Sequence, residues 1–562
     1  MRRLSTSLVL TIILLVSLTS ALIAPTAVAQ RKTSRTSKAT PASLATQRGA
    51  DSITASQIKD YLSFIASDEM EGRDTPSRGL DITAKFIAMN LSRWGFKPAG
   101  GGDGTFFQTI AMRKEAIDTS ETKVKFNDQL LVFGQDYLPS SVKGDVTASL
   151  VFAGSGWFFK AKGIDPYKTV DPKGKIVIIF SPLNALPPGF TRADLAGKAG
   201  EDWINPVSNA ISKGAVGIVS VPDFQYLANW DRNRNRLTER PISTVEKFQP
   251  AAPPQLPRII PAPQFTNSLF LGEKHTAGAL VELAAGGKLP ESFPLNPAKK
   301  LTITVNVKSD SVPTQNVVGV FEGSDPVLKN EYVALGAHYD HVGLATPLNG
   351  DSVYNGADDD GSGTTALLAI AEALGKARAR PKRSVLFVWH AAEEKGLWGS
   401  RYFTMFPTVP LENIVTQINI DMIGRAKNET DTNPRNRNLS GPHQVYVIGS
   451  KLMSTELGVL TETVNKQYLN LTYDYRYDDP SDPNRFFFRS DHINYARKGI
   501  PIVFFFDGEH EDYHGRDDEA DKIDYQKMEK ITRTIYMMIW ELASRPARPK
   551  VDKPLPAQLG GN

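Results

Sequence analysis

Six near-continuous apolar stretches mark the second half of the chain: VVGVFEG (317–323), YVALGAH (332–338), SVLFVWH (384–390), QINIDMIG (417–424), VYVIGS (445–450) and IPIVFFFDG (500–508). Between them run helical patterns such as GSGTTALLAIAEALGKA (361–377). Apolar strands alternating with helices predict a sheet covered on both faces, an α/β layered domain built on a mixed, mostly parallel sheet. Upstream, residues 54–100 show helical periodicity broken by a Gly/Pro/Ser segment, which predicts two helices joined by a loop. From about 121 to 300 the texture changes to short apolar runs separated by turns, ASLVFAGSG, GKIVIIFSP and KGAVGIVSVPD, followed by a Pro-rich patch. That pattern predicts a separate strand-rich insert without a cluster of ligand-type residues.

The first thirty residues pair a basic start, Arg2 and Arg3, with an apolar run from Leu8 to Leu18 and a small-residue site at Ala27 and Ala29. This is the layout of a secretory signal peptide cut after Ala29, with an uncleaved anchor as the alternative. The expected organisation is therefore a signal peptide (1–29), a flexible linker (30–50), a first part of the main domain (51–120), the insert (121–300), the chemistry-bearing part (301–545) and a flexible tail (546–562). The chain has 562 residues and no cysteine, so an exported protein of this kind is held by core burial or bound ions. Periplasmic or secreted location follows, with no membrane attachment once the signal is removed. Setting aside the seven positive charges of Arg2, Arg3, Arg31, Lys32, Arg35, Lys38 and Arg48, the formal +4 becomes −3 for the folded part. That balance argues against a nucleic-acid partner.

In layered α/β folds, ligands bind outside the carboxyl ends of the strands. His338 ends one apolar stretch, Glu393 and Glu394 follow another, Asp421 ends a third, and His514 lies just beyond the last. Asp358, Asp359 and Asp360 sit in a Gly-rich loop before a helix. Imidazoles and carboxylates gathered on one sheet edge repel one another unless cations sit among them. Nitrogen and oxygen donors without thiolates suit zinc, with manganese or cobalt as substitutes.

The motifs GAHYDHVG, GADDDGSG, AAEEKGLWGS, NIDMIG, SDHINYARKGIP and DYHGRDDEADKID resemble, in order and spacing, those of the two-zinc aminopeptidases of metallopeptidase clan MH, relatives of glutamate carboxypeptidase and the transferrin receptor. The stretch IASDEMEGRDTPSRG resembles that family's N-terminal segment, and the insert its protease-associated domain. The resemblance implies a zinc-exopeptidase (phosphorylase/hydrolase-like) fold and two co-catalytic zinc ions. His338 and Asp421 would hold one, Glu394 and His514 the other, with the Asp359 carboxylate bridging them and the Asp359–Asp360 peptide cis. Glu393 would be general base, Tyr513 would hydrogen-bond the oxyanion, and Asp340 would orient the His338 imidazole. His492 falls to the pocket wall or to packing, and His510 is the runner-up ligand. His341 and His390 carry no assigned role. Peptides are the implied substrates, cleaved at the N-terminus; oligomeric state is left open. Carboxypeptidase or dipeptidase specificity, for which Arg489 could bind a carboxylate, is the alternative on the same site. A single-zinc glutaminyl cyclase or a non-catalytic receptor would need a reduced ligand set, whereas all six residues from His338 to His514 are present.

Overall fold

The computed structural model describes residues 41–553 apart from 103, 181–185, 240–241, 249–254, 286–287, 289 and 480. The expected signal peptide and the first part of the expected linker lie outside the described residues. Each of the six apolar stretches coincides or overlaps with a strand. With Phe107–Ile117 as β1, they fall in β2 (Val307–Phe321), β3 (Tyr332–His338), β4 (Ser384–His390), β5 (Ile414–Ile420), β6 (Gln444–Ile448) and β7 (Ile502–Phe506). The strands lie in the spatial order β1-β2-β4-β3-β5-β7-β6.

Pairing is parallel through the centre, β4-β3-β5-β7, and antiparallel where β1, β2 and β6 flank it. The parallel centre has a physical cause: its strands are buried on both faces. In β3, Val333, Leu335 and Ala337 enter one core while Ala334 enters the other, and β4 splits Val385, Phe387 and Trp389 from Leu386 and Val388 in the same way. Such strands need a helix on each side and read as unbroken apolar runs.

One face is covered by α1 (Pro41–Asp51), α2 (Ala55–Ile65), α3 (Arg78–Arg93), α4 (Gly363–Lys376), α5 (Thr455–Gln467) and α6 (Tyr525–Ser544). The expected two helices with their loop are α2 and α3. Helix α4 is apolar on nearly every side, which suits its position between the sheet and the other helices. Because β3 leads through α4 to β4 on one side while β5 lies on the other, the strand order reverses at β3. A crevice opens at the carboxyl ends there.

Two boundaries differ from expectation. The expected linker is helical from Pro41 onward: α1 packs through small residues, with Ala50 fully buried and Gly49 so near α6 that a Cβ there would stand 2.2 Å from the Tyr536 hydroxyl. At Gly49 and Ala50 it is close approach of two helices that holds this segment, a contact that no apolar stripe announces. The expected flexible tail is likewise docked as far as residue 553. Arg548 pairs with Glu331 at 2.7 Å and donates to the Glu412 carbonyl, and Asp552 accepts from the Thr455 N–H.

Residues 123–305 build a second sheet around Gly144–Phe152, Ile176–Phe180, Gly217–Val221 and Arg258–Pro261, its two faces carrying separate cores. One strand from this stretch, Ile242–Val245, pairs instead with β1 and so extends the main sheet. Among the described residues no helix is long and apolar enough to cross a membrane.

Candidate metal centre

The crevice receives its polar side chains from strand ends. His338 is the last residue of β3, Asp421 follows β5 directly, and Glu393 and Glu394 follow β4 after two alanines. Left-handed backbone helps aim them: Ala392 (φ 58°) precedes Glu393, Met422 (φ 54°) follows Asp421, and His514 itself has φ 53°. Non-glycine residues in this region are uncommon, and they gather at functional turns.

Asp359 stands at the middle. Its Oδ1 lies 3.2 Å from His338 Nε2 and its Oδ2 3.1 Å from His514 Nε2. His338 Nε2 is also 3.7 Å from Asp421 Oδ2, and His514 Nε2 is 3.1 Å from Glu394 Oε2. Donor atoms held tetrahedrally at about 2.0–2.1 Å from a zinc ion lie roughly 3.3 Å apart, so both groups have the spacing of ligands around a shared ion. The five residues expected as ligands thus meet in two groups joined by Asp359. Buried acceptors in this place are left over: Asp359 Oδ2 and Glu394 Oε1 have no hydrogen-bond donor. A buried carboxylate oxygen without a donor is strongly disfavoured unless a cation neutralises it, so these donors fit a metal.

The remaining acids divide clearly. Asp360 lies within ligand reach of His338 and Asp421. Its oxygens, however, take N–H groups from His338 (3.1 Å), Gly363 (2.8 Å) and Met422 (3.2 Å), so it fastens β3, α4 and β5 together. The Asp359–Asp360 peptide is cis, as the resemblance implied. Asp358 accepts from the Gly424 N–H at 2.6 Å. Glu393 Oε2 is 4.0 Å from His338 Nε2 and makes no closer ion pair. Burial pushes the Glu393 carboxyl well above its usual range against the pull of His338. For Asp359, burial acts in the same direction but His338 and His514 outweigh it and hold the group well below that range.

At Asp340 it is the backbone carbonyl, not the expected carboxylate, that engages the His338 ring. The His338 Nδ1 is bonded to the Asp340 backbone carbonyl at 3.1 Å, while the carboxylate stands off at 3.7 Å and accepts the Glu393 N–H at 3.0 Å. The side chain thereby ties the Glu393 turn to the β3 end, because it curls toward β4 and leaves the carbonyl facing the ring. Tyr513 lines the crevice beside His338, Asp359, Glu393 and Asp421, and its ring stacks on His514 at 4.0 Å. Its hydroxyl is 3.3 Å from Arg489 Nη2, and burial raises its pKa far above the ordinary tyrosine value.

His510, the runner-up ligand, lies behind the site, 3.3 Å from Asp358 Oδ2. His492 packs as expected: its ring stacks on Phe504 at 4.4 Å, its Nε2 is bonded to the Phe487 carbonyl, and burial drives its pKa down to about 4. His390 lies below the site between Asp491 (3.1 Å) and the Tyr495 hydroxyl (3.0 Å). Arg489 reaches the rim, where Glu509 engages it at 2.7 Å.

Three contributors had escaped the sequence reading. Ser490 donates to Asp421 Oδ2 at 2.6 Å and accepts from Asn419 at 2.8 Å. Arg73, fully buried, donates to the carbonyls of Tyr339, Ile65, Asn355 and Gly356. His341 is fully buried with Nδ1 2.9 Å from Glu394 Oε1. All three lie in stretches that carry the resemblance, His341 in GAHYDHVG, Ser490 in SDHINYARKGIP and Arg73 in IASDEMEGRDTPSRG, but their place in a motif gave none of them a role.

Residues 316–539 match the profile of Peptidase family M28. The chain is 27% identical over 313 residues to leucine aminopeptidase 2 of Arthroderma otae, an alignment spanning 50% of this chain and 56% of that one. It is 36% identical over 136 residues to aminopeptidase Y of Saccharomyces cerevisiae, covering 24% and 23%. The chain therefore spans about half the length of the leucine aminopeptidases it matches. Its fold is shared with the aminopeptidase from Aneurinibacillus sp. strain AM-1, at 17% identity and a TM-score of 0.51 across 90% of this chain and 98% of that one. The part of the chain that carries the motifs thus matches the profile of Peptidase family M28, and the layered sheet is shared with a solved aminopeptidase structure.

Proposed function

We propose that this protein is an exported aminopeptidase with two co-catalytic zinc ions, removing N-terminal residues from peptides. The observation that carries the reading is the division of Asp359, one oxygen toward His338 and Asp421, the other toward His514 and Glu394. A carboxylate set between two donor groups is what a bridging ligand requires. His338 and Asp421 would hold the first zinc, Glu394 and His514 the second. Zinc bound there lowers the pKa of a water from roughly 16 to roughly 7 and polarises the scissile carbonyl.

The chain's own residues supply the rest. Glu393, next to the donor groups yet outside them, takes a proton from the attacking water and returns it to the departing amine. Tyr513 donates to the oxygen that becomes negative as the carbonyl is attacked. Glu393 and Asp421 receive the substrate's free amine, and the walls formed by Met422, Phe486, Phe504 and Phe506 take an apolar N-terminal side chain. Arg489 already has Glu509 as its partner, which favours an amine-reading over a carboxylate-reading exopeptidase. The 121–300 insert, which we read as a protease-associated domain, would then limit the length of peptide admitted.

Zinc analysis of the mature protein together with release of p-nitroaniline from unblocked and N-acetylated aminoacyl substrates tests this. Two zinc ions per chain and chelator-sensitive release from the unblocked substrates alone are expected. One zinc per chain, or equal release from the acetylated substrates, would overturn the proposal.

A further inference from the structure

We propose that His341 is a fourth protein ligand of the second metal position, through Nδ1, alongside Glu394, His514 and Asp359. The inference rests on the two-metal reading above and goes beyond the ligand set that reading uses.

Four observations converge on this ring. It is wholly buried, its Nδ1 lying 2.9 Å from Glu394 Oε1 and 3.7 Å from Asp359 Oδ2. These three residues each place a donor atom within 4.8 Å of the other two. Despite the 2.9 Å separation, neither His341 Nδ1 nor Glu394 Oε1 makes a hydrogen bond, and Asp359 Oδ2 has no donor either. Three buried lone-pair atoms, two of them 2.9 and 3.7 Å from the third and without the alignment that a hydrogen bond requires, are arranged as donors to a common cation.

The ring also occupies a place made for it. The His341 N–H is bonded to the Arg73 carbonyl at 3.2 Å. Gly356, in left-handed conformation (φ 59°), leaves the slot: a Cβ there would stand 2.5 Å from ring atoms Cγ and Cδ2 of His341. The ring also meets His514 edge-on at 5.6 Å between centroids. His514 has 38% of its side chain exposed, whereas His341 is sealed. The second metal would thus have one imidazole from the closed floor of the site and one from its open rim. With His341 bound, three protein donors would remain without the rim histidine; with His341 unbound, two.

The test is zinc K-edge X-ray absorption on the wild-type holoenzyme, paired with chelator competition on His341→Ala and His341→Gln. With His341 bound, three imidazoles are shared by two zinc ions, an average of 1.5 per zinc. With His341 unbound the average is 1.0, and that result overturns the inference while leaving the two-zinc reading intact. In the competition, loss of a direct ligand weakens the second zinc by more than about 100-fold with the first retained, beyond the roughly 10–100-fold typical of a residue that only orients a ligand. A smaller change in a variant with wild-type circular dichroism assigns His341 to orienting Glu394 and overturns the inference. A wild-type chain that binds no zinc under loading overturns the two-metal reading, and the inference with it.

Discussion

Arg73 is the most exacting point at which to perturb this architecture. Among the described residues its guanidinium has no direct carboxylate partner; four carbonyls, of Ile65, Tyr339, Asn355 and Gly356, hold it at 2.6–3.0 Å. Burial pulls its pKa down to about 10, with Asp518, Asp340, Asp359 and Asp360 opposing the fall. The four carbonyls belong to the end of α2, the turn after β3 and the loop that delivers Asp359. One side chain therefore ties together the segments from which both metal groups are built. Arg73→Met keeps the apolar bulk and removes every bond. Hydrogen bonds from a charged donor contribute about 1.5–3 kcal/mol each, which bounds the loss at about 6–12 kcal/mol. Release of a buried charge returns several kcal/mol of that sum. A net loss of about 4 kcal/mol is expected, with Arg73→Lys intermediate because a single ammonium cannot span the fork. Urea unfolding of the metal-free protein measures the loss, and amide hydrogen exchange locates it. Protection should fall in β3, β4 and β5. A loss below about 1 kcal/mol, or one confined to residues 54–98, would refute the idea that this arginine joins the metal-bearing loops.

Three further expectations follow from the same geometry. Glu393→Gln should lower kcat by about 10²–10⁴-fold with both zinc ions retained, whereas Glu394→Ala should lose metal; equal metal loss in the two, by elemental analysis, would show the roles misassigned. Ser490→Ala removes the 2.6 Å bond that orients Asp421 and should weaken the first zinc by about 10–100-fold in chelator competition, with secondary structure unchanged by circular dichroism. Burial raises the Glu331 carboxyl, but Arg548 and Arg383 outweigh it and hold the group below its usual range. A depressed carboxylate stabilises the fold above its unfolded pKa, near about 4.3, and that contribution fades as pH falls through the folded value. Glu331→Gln should therefore be less stable than wild type at pH 7, with the gap in melting temperature closing below about pH 4; a gap independent of pH would contradict the ion-pair account.

The readability of the site follows from where its residues stand relative to regular structure. A residue at the end of a buried strand has its direction set by the sheet, so His338 and Asp421 could be placed from hydrophobic pattern alone, and their convergence follows from the parallel pairing of β3 and β5. Glu393 and Glu394 are adjacent, and the pattern alone could not say which would face the donors. Ala392 in the left-handed region decides it, turning Glu394 toward His514. The same reasoning explains the elements that were missed. Helix α1 is held by the absence of side-chain bulk at Gly49 and Ala50, and absence leaves no stripe to read.

His341 shows the limit most clearly. Strand alternation carried past His338 would put Asp340 on the imidazole's side and His341 on the far side. The chain instead leaves the strand at His338, and the turn exchanges them: Asp340 swings toward the Glu393 N–H, and His341 comes back beside Asp359. What enforces the exchange is Arg73, some 270 residues earlier in the chain, bonded to the carbonyl of Tyr339 and, through its own carbonyl, to the His341 N–H. A donor set that depends on so distant a residue is visible only after the chain has folded. For that reason the deepest imidazole of the site is also the one that motif spacing alone left without a role.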